Sequence, residues 1–304
     1  MAAFMNRLPD TIADGIEDAA FLDPPADAAT NVVHRLLPAG RLKDLLSGTP
    51  LGHPAHPMLV TVPIGAWLSA NILDVVGGRH GRATARRLMA IGTVAAVPAA
   101  LTGASDWSDT MGAERRVGLV HAVANWAAIG LYASSWNARR KGRHSRGVAL
   151  AALGGAAVGV SGWLGGHLSY SIGVGVDTTA FMTGPTEWTD ALAESDLSED
   201  RPVNVMVGVV PVLVVRRDGQ VFALGDRCTH RGGPLHEGEV VGDCIECPWH
   251  SSRFNLRDGH VVRGPATRPQ PRLETRVVDG RVQVRQVGEQ HALRTNPVAS
   301  SQAP

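Results

Sequence analysis

Residues 228–250, CTHRGGPLHEGEVVGDCIECPWH, contain all three cysteines of the 304-residue chain. Two of the cysteines stand close to a histidine, in the patterns Cys228-x-His230 and Cys247-x-x-His250, and sixteen residues separate the two pairs. Three clustered cysteines are not the even, dispersed set that a disulfide framework needs. The stretch therefore predicts metal ligands.

Two kinds of metal site can be built from two cysteines and two histidines. A structural zinc site usually pairs cysteine with cysteine and histidine with histidine in tight spacings. Here each pair mixes the two residue types. Mixed pairs on two loops favour a binuclear iron cluster, because one iron can take both cysteines and the other both histidines.

This four-residue pattern and its spacer resemble the signature of the Rieske [2Fe-2S] domains. The resemblance covers about the last third of the chain. It implies a small all-β domain in which Cys228 and Cys247 bind the buried iron, and His230 and His250 the outer one. GPATRPQPRLETRVVDGRVQV (264–284) is similar to the closing stretch of the family, in which a Gly-Pro turn covers the cluster.

The departures from the family pattern concern the respiratory members. Those proteins join the two cluster loops by a disulfide, and Gly233 and Trp249 stand in the cysteine positions here. CTHRGGPL and CPWHSSRF resemble instead the ferredoxin-type domains that serve aromatic-ring oxygenases and related reductases. Phe254 replaces a respiratory tyrosine, whereas Ser252 matches a respiratory serine, so we expect a reduction potential in the lower part of the Rieske range. Cys244 matches no ligand position and is predicted to be a small buried residue.

An oxygenase would need a second, mononuclear iron site of two histidines and a carboxylate in a large domain. The sequence leaves no length for one, so we expect the cluster to carry single electrons without substrate chemistry of its own. Whether the chain is an enzyme stays open at this stage.

Four apolar segments approach the roughly 20 residues that a helix needs to cross a bilayer. They predict a four-helix transmembrane domain over residues 50–180, and its segments are 57–78, 88–105, 117–138 and 147–176. The small-residue spacings Gly155-x-x-x-Gly159 and Gly162-x-x-x-Gly166 favour close helix packing. A buried bundle in a water-soluble protein is the alternative, but two successive uncharged runs of more than 20 residues count against it.

The four apolar segments predict a multi-pass cell membrane protein, and its sidedness stays open. Arginines concentrate after the first and third segments, in predicted turns at 79–87 and 139–146, so the positive-inside rule puts these turns in the cytoplasm and both termini outside. Cluster insertion normally occurs in the cytoplasm, which conflicts with that orientation. The net charge of +1, with no basic stripe, argues against a nucleic-acid partner.

The rest of the chain falls into three parts. Residues 1–49 form a polar arm, 186–289 the Rieske domain, and 290–304 a tail predicted to be disordered. Alternating apolar residues within the Rieske domain predict two or three strands over 203–226 with a turn at 217–219, and a hairpin that turns at Asp279-Gly280.

Four histidines of the membrane domain are predicted to lie at one membrane face, and they are His53, His56, His121 and His167. GHPAHPMLVTVPIGAW (52–67) and GWLGGHLSYSIGVGVD (162–177) resemble a bacterial family of four-helix membrane domains without an established function. The histidines could cap helices, with His121 and Asn125 forming an interhelical contact. They could alternatively bind haem, a metal or a quinone head group, because ionisable residues inside membranes are usually functional.

The sequence thus predicts a multi-domain protein, in which an N-terminal four-helix transmembrane bundle is followed by an all-β Rieske [2Fe-2S] domain that carries single electrons. Its expected partners are a redox protein or reductase, a quinone and the membrane lipid. Two alternatives stay open: a quinol or haem oxidoreductase with its catalytic site in the bundle, and a non-catalytic redox sensor.

Overall fold

The computed structural model describes residues 8–286, which form two compact units. The first unit comprises the chain up to Pro38 together with Pro54–Val174, and the second comprises Ala39–His53 together with the chain from Gly175 onward. The first unit is helical, and the second is built around two β-sheets. This confirms the predicted fold class. The tail predicted to be disordered, 290–304, lies outside the described residues.

Eight α-helices are present in the described part of the chain. They are α1 (Leu8–Glu17), α2 (Asp23–Leu36), α3 (Arg41–Ser47), α4 (His56–Leu59), α5 (Thr61–Val76), α6 (Gly78–Ser108), α7 (Gly112–Arg140) and α8 (His144–Tyr170). Helix α4 continues into α5, and this pair and the helices α6, α7 and α8 are each long and apolar enough to cross a membrane. The four predicted segments therefore all correspond to helices.

The arginines predicted in a turn after the first segment lie in a helix instead, so that prediction is wrong. Helix α6 begins at Gly78, and residues 79–87 form its first turns. Only Gly77 and Gly78 are needed for the turn, because Gly78 adopts a positive φ of 51° and a Cβ on Gly77 would lie 2.6 Å from the Leu73 carbonyl oxygen. Arginine is a good helix former, so the helix starts immediately afterwards.

Aromatic residues and glycines pack the bundle core. The rings of Trp67 and Tyr132 stack with centroids 4.3 Å apart, and the Asn71 amide donates to the Tyr132 hydroxyl at 3.0 Å. Gly154 lies against the Tyr132 ring, where a Cβ would approach it to 3.0 Å. The predicted small-residue spacing is thus only partly used: a Cβ on Gly155 would meet Asn71, whereas Gly159, Gly162 and Gly166 would make no contact closer than 3.9 Å.

The predicted polar arm contains regular structure that its sequence did not indicate. Helices α1 and α2 belong to the bundle unit, where Arg115 pairs with Asp27 and Arg116 with Asp23. Helix α3 belongs to the second unit.

Ten strands form the two sheets in the described part of the second unit, up to residue 286. They are β1 (Thr189–Ala193), β2 (Val203–Val207), β3 (Val210–Arg217), β4 (Gln220–Gly225), β5 (Glu239–Val241), β6 (Cys244–Glu246), β7 (Arg253–Asn255), β8 (Val261–Arg263), β9 (Arg272–Val278) and β10 (Arg281–Gln286). The six-stranded sheet has the order β1-β10-β9-β4-β3-β2, and the four-stranded sheet has the order β5-β6-β7-β8. The predicted turns at 217–219 and at Asp279-Gly280 are confirmed.

Strand β3 connects the two cores of this unit. Its side chains alternate between the faces of the sheet, with Val212 and Val214 in one buried cluster and Leu213 and Val215 in the other. The second cluster also contains Cys228 and Cys247. The loops that carry these cysteines are therefore anchored on a fully apolar core.

Candidate metal centre

Two loops carry the cysteine and histidine pairs. Loop 1 (226–238) connects β4 to β5, and loop 2 (247–252) connects β6 to β7. Both cysteines are buried, with exposed fractions of 1% for Cys228 and 2% for Cys247.

The two loops have the same backbone hydrogen bonds around their cysteines. In loop 1, the Cys228 amide donates to the carbonyl of Gly233 at 2.9 Å, and the Cys228 carbonyl accepts from the amide of Gly232 at 2.8 Å. In loop 2, the Cys247 amide donates to the carbonyl of Ser252 at 2.8 Å, and the Cys247 carbonyl accepts from the amide of Ser251 at 3.0 Å. Each cysteine is thus held at the start of a matching turn, although the histidine spacing differs between the loops.

The fourth residue after each cysteine has a left-handed backbone. Gly232 has a φ of 78° and Ser251 a φ of 60°, and the serine conformation costs about 1 kcal/mol or more because of its Cβ. The Ser251 carbonyl accepts two hydrogen bonds from the Arg263 guanidinium, at 3.0 and 2.7 Å. These bonds help to hold the strained turn in place.

The two cysteine sulfurs form a polarised pair. The Cys228 thiol donates a hydrogen bond to the Cys247 sulfur, which lowers the pKa of Cys247 to about 7. The same hydrogen bond, together with burial, raises the pKa of Cys228. Backbone amides also point at the sulfurs, those of His230 and Arg231 at Cys228 and those of Trp249 and His250 at Cys247. These amides favour the thiolate, which is the metal-binding form of cysteine, whereas burial opposes it at both sulfurs.

Each histidine follows the cysteine of its own loop by two or three residues, and the two histidine rings lie close together. The ring centroids of His230 and His250 are 5.0 Å apart, and the ring planes are nearly perpendicular, at 89°. Both side chains are partly exposed, unlike the cysteines. The site therefore has a buried pair of sulfur donors and a more exposed pair of nitrogen donors.

This arrangement fits two metal atoms better than one. A tetrahedral zinc site would bring all four donors around one centre. Separate sulfur and nitrogen pairs match instead the ligand chemistry of a binuclear iron–sulfur cluster, with two protein ligands for each iron.

A buried glutamine that the sequence analysis missed holds loop 1. Gln270 is fully buried, its amide donates to the carbonyls of Gly225 and Arg227 at 2.6 Å each, and its oxygen accepts from the amide of Thr229 at 3.2 Å. Its partners lie more than 40 residues away in the chain. Gln270 stands between two prolines, and no spacing to the cysteines would have identified it.

His236 provides a second contact that holds loop 1. The His236 Nδ1 lies 2.7 Å from Asp226 Oδ2, and its backbone amide donates to Asp226 Oδ1 at 2.8 Å. Asp226 is buried and also accepts from the Asn204 amide. His236 is therefore a half-buried structural partner of Asp226. Cys244 is buried in β6, as expected.

The bundle histidines are bonded to protein groups. His56 Nδ1 lies 2.9 Å from the Ala99 carbonyl and His121 Nδ1 2.9 Å from the Ser161 carbonyl, so each Nδ1–H donates. The Asn125 amide then donates to His121 Nε2 at 3.0 Å, and His167 Nε2 contacts Glu17 Oε1 at 2.7 Å. The contact between His121 and Asn125 lies within α7, and the interhelical contact is the one to Ser161. His53 belongs to the other unit.

Comparison with known proteins identifies both units. The family profile described as "Rieske [2Fe-2S] domain" matches residues 187–286, and the profile described as "Predicted membrane protein (DUF2231)" matches residues 52–178. The anthranilate 1,2-dioxygenase ferredoxin subunit of Burkholderia cepacia is 36% identical over 32% of this chain and 91% of its own. Ferredoxin CarAc of Metapseudomonas resinovorans is 39% identical over 32% of this chain and 92% of its own.

The solved structures give a parallel match. One chain of "Complex of reduced oxygenase and oxidized ferredoxin in carbazole 1,9a-dioxygenase" is 36% identical to this protein. The alignment covers 34% of this chain and 99% of the other, with a TM-score of 0.32.

Residues 187–286 of the second unit thus form a Rieske-type electron-transfer domain of the ferredoxin kind, the part of the chain that carries a [2Fe-2S] cluster. The protein belongs to the Rieske [2Fe-2S] family, and it joins this domain to a domain of the predicted membrane protein family. Both resemblances found in the sequence are confirmed.

The place of the respiratory disulfide is taken by a contact between Gly233 and Trp249. A Cβ on Gly233 would lie 3.0 Å from the Cys247 sulfur and 3.0 Å from two atoms of the Trp249 ring. Overpacking of this kind costs about 1–3 kcal/mol, so we expect the Gly233→Ala protein to lose its cluster roughly tenfold faster than the wild type. The decay of visible circular dichroism in the presence of an iron chelator measures this rate.

The matched control is Gly159→Ala, because a Cβ on Gly159 would meet nothing within 4 Å. This variant should lose its cluster at the wild-type rate. Equal rates for Gly233→Ala and the wild type would show that the Gly233–Trp249 contact does not hold the loops together.

Proposed function

We propose that this chain is a membrane-anchored single-electron carrier, in which Cys228 and Cys247 hold one iron of the [2Fe-2S] cluster and His230 and His250 hold the other. The observation that carries the proposal is the pairing of two buried, amide-bonded sulfurs with two adjacent, partly exposed imidazoles on matching loops. A [2Fe-2S] cluster bound there takes up and releases one electron at a time.

The exposure of the site supports electron exchange through the histidines. The sulfurs are buried, so a redox protein that approaches the loops meets the edges of His230 and His250 first. Trp249 is 44% exposed, and its ring centroid lies 6.4 Å from that of His250. An exposed aromatic side chain at this place provides an apolar contact for a partner.

The partner class follows from the relatives. The first of the two relatives described above is named as the ferredoxin subunit of a dioxygenase, and the second as a ferredoxin. One solved relative is in complex with an oxygenase. We infer that this chain likewise exchanges electrons with a protein, either a reductase or an electron acceptor. A quinone is the alternative partner on the membrane side.

Membrane anchoring is supported by the surface of the bundle. In each of the four apolar helical windows only 22–33% of the residues are buried inside the protein, and the exposed ones include Val75, Val94 and Leu68. An apolar surface of this extent is unfavourable in water and favourable in lipid. The bundle therefore anchors the electron carrier in a cell membrane, with lipid around its four helices.

The hydrogen bonds of the bundle histidines favour electron carriage over a haem enzyme. A haem held by two imidazoles needs two free Nε2 atoms. His121 Nε2 accepts from Asn125, and His167 Nε2 is bonded to Glu17, so a haem bound by either residue would have to break such a bond.

The test is spectroscopy on the full chain purified from membranes in detergent. We expect the protein to stay with the membrane after alkaline carbonate washing, and to contain two irons and two labile sulfides. On reduction it should give the rhombic electron paramagnetic resonance signal of a Rieske cluster. Zinc in place of iron would contradict the assignment of a [2Fe-2S] cluster. Release of the protein by carbonate would contradict membrane anchoring. A haem absorption band would favour the oxidoreductase alternative.

A further inference from the structure

Two segments that flank the membrane helices in the sequence belong to the unit that contains the cluster loops. They are residues 39–53, before α4, and residues 175–180, after α8. Both lie outside the Rieske match of 187–286, and the alignments with the two ferredoxins cover only 98 and 99 residues. We call the two segments together the clamp. The clamp is additional to the part of the chain that the ferredoxin relatives share.

The first clamp segment contacts the turn that the family resemblance places over the cluster. The Gly264 amide donates to Asp44 Oδ1 at 3.0 Å, and the Thr49 hydroxyl donates to the Ala266 carbonyl at 3.1 Å. A Cβ on Gly264 would lie only 2.1 Å from Thr49 Oγ1. The approach is so close that only glycine fits, which indicates a specific contact between segments about 220 residues apart.

The same turn also forms hydrogen bonds with loop 2. The Ala266 amide donates to the hydroxyl of Ser252 at 3.0 Å, and Ser252 is fully buried. Arg263, at the start of the same turn, donates to the Ser251 carbonyl. Ala266 thus accepts a hydrogen bond from Thr49 at its carbonyl and donates one from its amide to Ser252, the residue that closes the turn of Cys247.

The second clamp segment contacts loop 1 directly. The Thr178 hydroxyl donates to the Cys228 carbonyl at 2.7 Å, and the Thr178 amide donates to the Thr229 carbonyl at 3.3 Å. Asp177 holds the segment in shape, because its Oδ1 accepts from the Thr179 amide at 2.9 Å and from the Thr179 hydroxyl at 2.7 Å. Loop 1 is therefore held by the segment that follows the membrane helices in the sequence, and loop 2 by the segment that precedes them.

We propose that the clamp positions the two cluster loops, and that Thr49, Thr178 and Asp44 are positioning residues that control how firmly the cluster is retained and at what potential it is reduced. This inference rests on the proposed function, since it assumes the cluster between the loops. It adds that the segments on either side of the membrane helices influence the retention and the reduction potential of the cluster.

Asp44 gives the clamp an electrical effect as well as a structural one. Burial raises the pKa of Asp44, although the hydrogen bond from Gly264 and the charge of Arg263 oppose this shift. In its ionised form the carboxylate places a negative charge next to the turn, and this charge disfavours addition of an electron to the cluster. Removal of this charge should therefore make the cluster easier to reduce.

The first experiment measures retention of the cluster in full-length protein, by the decay of visible circular dichroism under a chelator. Thr49→Val and Thr178→Val each remove one hydroxyl with little change in shape, and we expect roughly fivefold faster loss in each, the factor that one ordinary hydrogen bond is worth. Thr49→Ser and Thr178→Ser keep the hydroxyl and should restore the wild-type rate.

The matched control for both variants is Thr275→Val. The Thr275 hydroxyl donates to the Val221 carbonyl at 2.7 Å, so this substitution removes the same kind of bond from the same unit but away from loops 1 and 2. Its rate of cluster loss should equal that of the wild type. Equal acceleration in all three valine variants would overturn the inference, because the effect would then be general destabilisation.

The second experiment measures the midpoint potential at pH 8. Asp44→Asn keeps an oxygen to accept from Gly264 and removes only the charge, so we expect a higher potential than in the wild type. Glu239→Gln, at an exposed position on β5, is the control and should leave the potential unchanged. An unchanged potential in Asp44→Asn would overturn the electrical part of the inference.

The outcomes separate this inference from the proposed function. A wild-type protein without iron and labile sulfide contradicts the proposed function itself. A wild-type protein with a normal Rieske signal, whose clamp variants have wild-type retention and potential, contradicts the clamp alone.

Discussion

We expect the Cys247→Ala protein to be purified without its [2Fe-2S] cluster, and the Cys244→Ala protein to retain the full cluster. Cys247 is paired with Cys228 by a sulfur–sulfur hydrogen bond, and its sulfur receives the amides of Trp249 and His250. Removal of one thiolate leaves an iron with a single protein sulfur, which is not enough to hold the cluster. Cys244 is equally a buried cysteine, but it lies in β6 and matches no ligand position.

The measurement is iron and labile sulfide per chain, together with the signal of the reduced cluster in electron paramagnetic resonance. Far-ultraviolet circular dichroism must show in addition that the variant keeps its β-structure. His250→Ala should behave like Cys247→Ala, and His260→Ala, at an exposed position, should behave like the wild type. Retention of the cluster in both Cys247→Ala and His250→Ala would show that the assigned ligand set is wrong.

The parts of the fold that follow local patterns could be predicted from the sequence. The strands β2, β3 and β4 are short, mostly apolar runs separated by turn residues, and the hairpin of β9 and β10 has an Asp-Gly turn with the left-handed backbone that such turns need. The strands β5 to β8 have three residues each. A strand so short cannot show a periodicity, so the four-stranded sheet between and around the cluster loops was not foreseen.

The site divides in the same way between local and distant features. The proposed ligands follow from spacings within 23 residues of chain, because both pairs lie in adjacent loops. Their supports come from far along the sequence: Gln270 is about 40 residues from Thr229, and Asp44 is 220 residues from Gly264. A side chain that acts on a backbone group at such a distance leaves no motif, and only the folded structure brings it to the site.

The helices of the membrane domain were predictable in number but not in their ends. Apolar length alone identifies a span, whereas an end depends on a turn, and Gly77-Gly78 make a much tighter turn than the arginine-rich stretch suggested. The polar contacts between the helices were not predicted either. Arg139 was predicted to lie in a turn, and the structure pairs it with Asp74 of the first membrane helix.

We expect substitution of either partner of this buried ion pair to destabilise the bundle more than any surface change. The Arg139 guanidinium donates to both carboxylate oxygens of Asp74, one of them at 2.7 Å, and the side chains are only 2% and 4% exposed. Arg139 also donates to the Ser135 hydroxyl at 3.1 Å, which in turn donates to the Gly147 carbonyl at 2.6 Å. The pair thereby joins α5, α7 and α8.

The size of the effect follows from what each substitution leaves behind. In Asp74→Ala the guanidinium stays buried without its counter-charge, and in Arg139→Met the carboxylate does. Breaking a buried pair in this way costs about 3–5 kcal/mol, whereas replacing both partners by apolar residues is often close to neutral. The double variant Asp74→Leu/Arg139→Met should therefore be more stable than either single variant, which is the opposite of additivity.

Thermal denaturation of the detergent-solubilised full chain, followed by the loss of its monodisperse peak in size-exclusion chromatography, measures this order. The control is Arg140→Met, because Arg140 is exposed and lies over the Trp136 ring with its Cζ 4.8 Å from the ring centroid. The Arg140 charge is solvated in the wild type, so its removal should shift the transition temperature by far less than Asp74→Ala does. If Asp74→Ala and Arg140→Met denature at the same temperature, the buried pair does not hold the three helices together, and apolar packing around Trp67 and Tyr132 must account for the bundle on its own.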